Sequence, residues 1–329
     1  SKVTLAFSTY QYSRIFFVGL NKEERVSVSH VEVGHCLGFA FSGPNLWTSA
    51  ETRMFCYRDI LADTPPSDAG REALYVPRLC YFTGNLDIHD VAVTKQGGVI
   101  FANTRFNCLA TLSPTHSFRP LWKPHFISRL AGEDRCHLNG LTLVDGKAKY
   151  VSCISRSDVF EGWREHRESG GVIVDVTENK IVCEGLSMPH SPRWHNGKLW
   201  LLNSGTGELG HVDLDSGTFK PLCFLPGYAR GLNFVNDRLA IVGLSKPRKD
   251  EAFSGLPLDG ELKRREVAPR SGFCVIDLQT GDVLYWAKIE GKLVELYDVG
   301  VLHGVRSARA VSFASDEQRQ AISIEETKG

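Results

Sequence analysis

The chain has 329 residues, with 38 Lys and Arg set against 38 Asp and Glu, so its formal net charge is zero. Without surplus basic charge to neutralise phosphates, nucleic acid is not an expected partner, and a 42% hydrophobic, 23% charged composition excludes disorder. No apolar run reaches the roughly 18 residues that cross a bilayer.

The first residues carry no basic segment followed by an apolar stretch, so no secretory signal is expected. Strands are expected at residues 4–8 and 15–19. Short turns, each followed by an aromatic or aliphatic strand, then recur at 43–47, 97–101, 145–150, 196–200 and 236–240. Strands of about five residues with turn signals every 8–12 residues point to an all-β fold. One helical excursion is expected at residues 157–168, leaving a strand of the third repeat. A second repeated form is apolar–Asp–apolar, a turn with Asn or Gly, and a returning strand. It appears around Asp175, Asp213 and Asp277, which lie 38 and 64 residues apart. The longer interval contains residues 247–270, a Pro- and Gly-bearing stretch read as a loop insertion. Without it the spacing returns to about 40 residues, the size of a four-stranded propeller blade.

Six blade openings follow, near residues 34–37, 87–90, 136–140, 188–192, 228–231 and 295–299. The last has too few strands after it, so the N-terminal strands are expected to complete it and close the ring. The expectation is one domain, residues 1–329, folded as an all-β six-bladed β-propeller; a β-sandwich is the rival. The nine Cys form no Cys-x-x-Cys pair, and Cys153, Cys183 and Cys274 lie among apolar residues. This reads as buried reduced thiols and a cytoplasmic setting.

The junctions before the innermost strands face the channel mouth. They carry His35, His89, His137 and His190, then Arg230, then Tyr297 with Asp298. Imidazole is the commonest protein metal ligand, and three or four converging His with an open position make a catalytic metal geometry. His89, His137 and His190, with His35 as a fourth ligand, are the expected metal set for Zn, Fe or Cu. Asp87, Asp90, Glu295 and Asp298 are expected to hold the second ring nitrogens. Tyr297 and Asp298 are acid–base candidates, and Arg230 is either an anchor for an anionic substrate or channel scaffolding paired with Asp298 or Glu295. Phe253, in the apolar segment of the insertion, is expected to contact substrate, with the insertion acting as a lid or an oligomer contact. The alternative is that these His only hydrogen-bond backbone carbonyls between blades. Residues 204–210 are Gly-rich but have no following helix, so they read as a hairpin turn rather than a phosphate loop.

Five segments carry a family resemblance: residues 8–11, 188–195, 202–210, 253–258 and 295–299. They resemble a family of conserved hypothetical proteins, mostly bacterial and sometimes joined to tetratricopeptide repeats. More loosely, the architecture is similar to gluconolactonase-type propellers, whose axial metal is held by Glu, Asn and Asp; this chain offers His instead. The expected function is a His-ligated metalloenzyme acting on a small polar molecule or peptide. The alternative is a ligand-binding or protein-interaction propeller without chemistry.

Overall fold

The local turn chemistry sets the hairpins, and the hairpins set the blades. The computed structural model describes residues 2–63, 70–246 and 255–324. Strands β1 (Val3–Thr9), β2 (Arg14–Leu20) and β3 (Val26–Glu32) pair in succession. The first blade follows as β4 (Phe39–Ser42), β5 (Asn45–Ala50), β6 (Arg53–Asp59) and β7 (Arg71–Phe82). The second contains β8 (Ile88–Val93), β9 (Val99–Asn103), β10 (Cys108–Thr111) and β11 (Arg119–Trp122). The third contains β12 (Leu138–Val144), β13 (Lys147–Cys153), β14 (Gly171–Asp175) and β15 (Lys180–Leu186). The fourth contains β16 (Pro189–His195), β17 (Lys198–Asn203), β18 (Glu208–Asp213) and β19 (Thr218–Phe224). The fifth contains β20 (Tyr228–Phe234), β21 (Leu239–Ser245), β22 (Gly272–Asp277) and β23 (Val283–Lys288).

The sixth blade joins both ends of the chain: β24 (Val299–His303) pairs with β1, giving the order β24-β1-β2-β3. The chain is therefore a six-bladed β-propeller closed by its N-terminal strands. Closure removes open sheet edges between blades. One feature was not expected: β25 (Val305–Ala310) adds to the first blade as a fifth strand, parallel to β7.

Antiparallel strands put the five repeated turns, which join the first and second strands of five blades, on one face. The Asp175, Asp213 and Asp277 turns join the third and fourth strands on that same face. Each of these Asp residues accepts backbone N–H groups two or three residues ahead, as in Thr177 to Asp175 at 2.8 Å and Gln279 to Asp277 at 2.9 Å. Such Asx turns give the repeat its form. The opposite face, the mouth face, receives the blade-to-blade junctions and the longer connections between second and third strands.

Apolar clusters lie between every pair of neighbouring blades. A further cluster lies on the mouth face, where Leu256, Leu258 and Leu262 pack with Ile154, Trp163, Met188 and Tyr228. Two helical expectations need correction. Within residues 157–168 only Gly162–His166 is helical, as one 3-10 turn. The insertion, read as a loop, contains helix α1 (Pro257–Arg264), whose Pro sits at the first turn and whose Leu258 and Leu262 are buried. Residues 247–254, Phe253 among them, lie outside the described residues. A second short helix, α2 (Asp316–Gln320), follows β25. Cys153, Cys183 and Cys274 are buried free thiols, whereas Cys80 is exposed. No helix among the described residues is long and apolar enough to cross a membrane.

Phe17, on β2, is 1% exposed within the cluster joining the closing blade to the first. Phe17→Ala is expected to cost about 3–5 kcal/mol in urea denaturation. Val28→Ala, on the exposed β3, should stay within about 0.5 kcal/mol.

Candidate channel-mouth site

Four innermost strands, β8, β12, β16 and β20, each carry a register shift near the mouth face. An extra residue in a ladder bends the strand and re-aims its side chains. Ahead of three of these shifts, Asp87, His137 and Met188 adopt left-handed backbone with φ of 52°, 50° and 49°. These conformations are costly without glycine and gather at functional sites. Two residues further on stand His89, Asn139 and His190. His89 and His190 turn back in the same way, their Nδ1 atoms 2.8 Å from the Asp87 carbonyl and 2.7 Å from that of Met188. His89, Asn139 and His190 therefore hold equivalent places, and His137 shares its place with Asp87 and Met188. In the fourth and fifth blades the shift itself carries a further left-handed residue, Ser191 at φ 49° and Gly231 at φ +72°, and a Cβ on Gly231 would lie 2.5 Å from the Val299 nitrogen.

Carbonyl contacts fix Nδ1–H tautomers on His89 and His190 and leave their Nε2 lone pairs pointing elsewhere. The His190 Nε2 accepts from the Asn139 amide at 3.2 Å. Burial, with the positive charge of Arg230 nearby, holds the His190 imidazole well below its ordinary pKa. The His89 Nδ1 also meets the Thr104 hydroxyl at 2.9 Å, and that hydroxyl donates to the Leu138 carbonyl at 2.6 Å. Burial lowers the His89 pKa too.

The His137 ring lies edge to face with that of His89, ring centres 4.7 Å apart. Its Nδ1 is 2.9 Å from Asp134, which also accepts the Trp163 indole N–H at 2.8 Å. Burial alone would raise the Asp134 carboxyl, but the His137 ring and the indole N–H hold it below its usual value. Trp163, supplied by the 3-10 turn, lies over His137 at 4.3 Å. Tyr297 packs beside His89 at 5.6 Å, and the Arg230 guanidinium lies 5.0 Å from the Tyr297 ring and 4.9 Å from that of Tyr228. His35 is exposed at the rim, its ring 5.0 Å from Tyr10.

The structure thus brings His89, His137, Tyr297 and Arg230 together at the mouth, sets His190 against Asn139, and leaves His35 at the rim. The ring nitrogens are held by the Asp87 and Met188 carbonyls and by the Asp134 carboxylate. Asp90 and Asp298 instead grip Arg193. Asp90 takes its two terminal nitrogens at 2.7 and 3.2 Å, and Asp298 lies 3.7 Å away. Asp90 also accepts Leu141 N–H at 3.0 Å, and Asp298 accepts Phe39 N–H at 3.4 Å. Arg193, Asn139, Asp134 and Trp163 were not singled out from the sequence, because their partners lie in other blades or in a loop. Among the described residues, no three His, Cys, Asp or Glu side chains come together in an arrangement that could hold a metal ion. The four-His set does not form such a group in this geometry.

A family model described as a domain of unknown function, DUF4915, matches residues 1–311. The chain belongs to the DUF4915 family. None of the curated proteins matches it. Among solved structures, a chain of a nidogen/laminin complex is similar at 11% identity and a TM-score of 0.58, over 92% of this chain and 99% of that one. A virginiamycin B lyase from Staphylococcus aureus is similar at 8% identity and a TM-score of 0.44, over 90% and 84%. A putative gluconolactonase is similar at 14% identity and a TM-score of 0.46, over 64% and 71%. At such identity the nidogen/laminin likeness shows the fold alone.

In this DUF4915 propeller Glu295 is 2% exposed, 3.9 Å from Arg230, and burial pushes its carboxyl up to about 9 from an ordinary 4.5. The native state therefore binds this proton more tightly than the unfolded chain, so the contribution is complete below about pH 4.5 and disappears as pH rises through 9. Urea denaturation across that window should show stability falling with pH, and Glu295→Gln should flatten the fall. A slope unchanged in the variant would exclude Glu295 as its source.

Proposed function

We propose that the channel mouth is the active site of an enzyme that performs acid–base chemistry on a small polar molecule. The observation that carries this reading is the His137–Asp134 pair beneath Trp163, set against His89. An imidazole whose Nδ1–H rests on a half-buried carboxylate presents Nε2 as a base, and the carboxylate stabilises the imidazolium once the proton is taken. His89, kept neutral by burial, offers a second Nε2 that accepts a hydrogen bond from a substrate hydroxyl or amine. Tyr297 packs against His89 at 5.6 Å, and Arg230 beside it supplies positive charge for an anionic substrate group. Asp298 is committed to the Arg193 cluster, so Tyr297 is the better acid–base candidate of the two.

A divalent transition metal is the second reading, favoured by the adjacent His89 and His137 rings with their Nδ1 atoms already engaged. Such an ion would take both Nε2 atoms and fill its remaining positions with water or substrate. His190 would join only by giving up Asn139.

Purified protein incubated with a soluble small-molecule extract, with products followed by mass spectrometry, tests the first reading. Wild type should deplete a polar species, and His137→Ala should lower that rate by about 10²–10⁴-fold with little change in melting temperature. Wild-type turnover by His137→Ala would exclude His137 as the base. Elemental analysis of the same samples tests the second reading: one equivalent of Zn, Fe or Cu in wild type, lost in both His89→Ala and His137→Ala, is its signature.

A further inference from the structure

The outermost strand of a propeller blade pairs on one side only, so its other edge faces solvent. In β3, β11, β15 and β19 at least one residue of that strand is buried or half-buried. β23 differs: all six of its residues are exposed. Four of them in succession are large and apolar, Val283, Leu284, Tyr285 and Trp286, with Tyr285 68% and Trp286 59% exposed. No other run of more than two such consecutive residues occurs among the described residues. β23 ends the order β20-β21-β22-β23, so no described strand covers its outer edge. An exposed apolar edge of this kind marks an interface with another chain.

The residues around the run say which chain fits. Tyr285 stands at its centre: Leu284 and Trp286 flank it, then Val283 and Ala287, then Asp282 and Lys288. In an antiparallel pair with a two-fold axis through Tyr285, each residue faces the one equally far on the other side of the centre. Asp282 then faces Lys288 of the second copy, twice, and Leu284 faces Trp286, twice. Opposite charges and aromatic–aliphatic pairs across strands are both favourable. A parallel, in-register pair would instead set Asp282 on Asp282 and Lys288 on Lys288. Asp282 accepts the Thr280 hydroxyl and Lys288 donates to Glu290, each at 2.7 Å and exposed. A carboxylate and an ammonium both have capacity beyond one such contact. The ladder to β22 is regular from Lys288 to Tyr285 and skips Leu284. Such a bulge disrupts backbone pairing locally, so side chains carry the ends of the contact.

We propose that β23 is a homodimer interface: two copies of this chain pair antiparallel about Tyr285, with an Asp282–Lys288 ion pair at each end of an apolar centre. A two-fold contact uses the same edge on both copies and therefore closes, which leaves neither edge open to a third chain. Because β23 is the outermost strand of its blade, the interface is independent of the chemistry at the channel mouth.

Sedimentation equilibrium of the full chain at micromolar concentration tests this, and wild type should be dimeric. Asp282→Lys and Lys288→Asp each set like charges opposite one another at two places and should weaken the dimer about tenfold. The double variant, which exchanges the two ends, should regain wild-type association. Tyr285→Asp puts two carboxylates on the axis and should give monomers. Circular dichroism of every variant should match wild type, since the altered side chains are exposed. A monomeric wild type, a dimer indifferent to the single charge changes, or a double variant no tighter than the single ones overturns the proposal.

Discussion

The ring depends on one guanidinium. Arg193, from the fourth blade, reaches Asp90 of the second and lies 3.7 Å from Asp298 of the sixth. Through these acids it is tied to Leu141 of the third blade and Phe39 of the first. Apolar clusters hold neighbouring blades together, but only a long polar side chain on the axis connects blades that do not touch. Buried ion clusters of this kind contribute little net stability compared with apolar packing, yet losing one member strands a charge. The cluster therefore acts as a constraint on geometry: it ties together the inner ends of five blades near the axis.

The mouth uses a different means of positioning. His89 and His190 are oriented by their own backbone, each held to a carbonyl two residues earlier, with the strand shifted out of register just beyond. His137 lacks that tether because it occupies the strained place itself. It borrows Asp134 from the preceding loop and Trp163 from the loop after β13. A backbone tether gives a fixed, neutral ring; a carboxylate tether gives a ring that can take up charge. Two neighbouring His thus acquire different chemistry from a two-residue offset.

Much of the fold was legible because turn chemistry is local. The turns at 43, 97, 145, 196 and 236 declare themselves by Gly, Asn and Asp, and all prove to be first hairpins of successive blades. Asp59 ends the third strand of the first blade and accepts Leu61 N–H two residues ahead, as its counterparts do, but the returning strand begins only at Arg71, so the repeat is invisible there. The junction residues were readable as a group and misaligned in detail. Aligning apolar neighbours equates His35 with His137, whereas the backbone equates His89 with Asn139 and His190. Left-handed residues such as Met188 leave no compositional trace. Arg193 could not be read at all, since Asp90 and Asp298 lie more than a hundred residues away on either side. Helix α1 was hidden because its apolar side, Leu258 and Leu262, is set by packing against Ile154 and Tyr228.

The way the sixth blade is made has a temporal side. Thr4 donates to the Val305 carbonyl across 301 residues, and β25 then clasps β7 beyond it. The first three strands can pair among themselves, yet their inner edge has no partner until β24 is present. During synthesis the nascent chain must carry this edge exposed while five blades assemble behind it. Loop closure over such a span is slow, and an unpaired edge invites pairing with another chain. Ring closure must await the last blade strand, and the interval before it is when this edge is open to pairing with another chain.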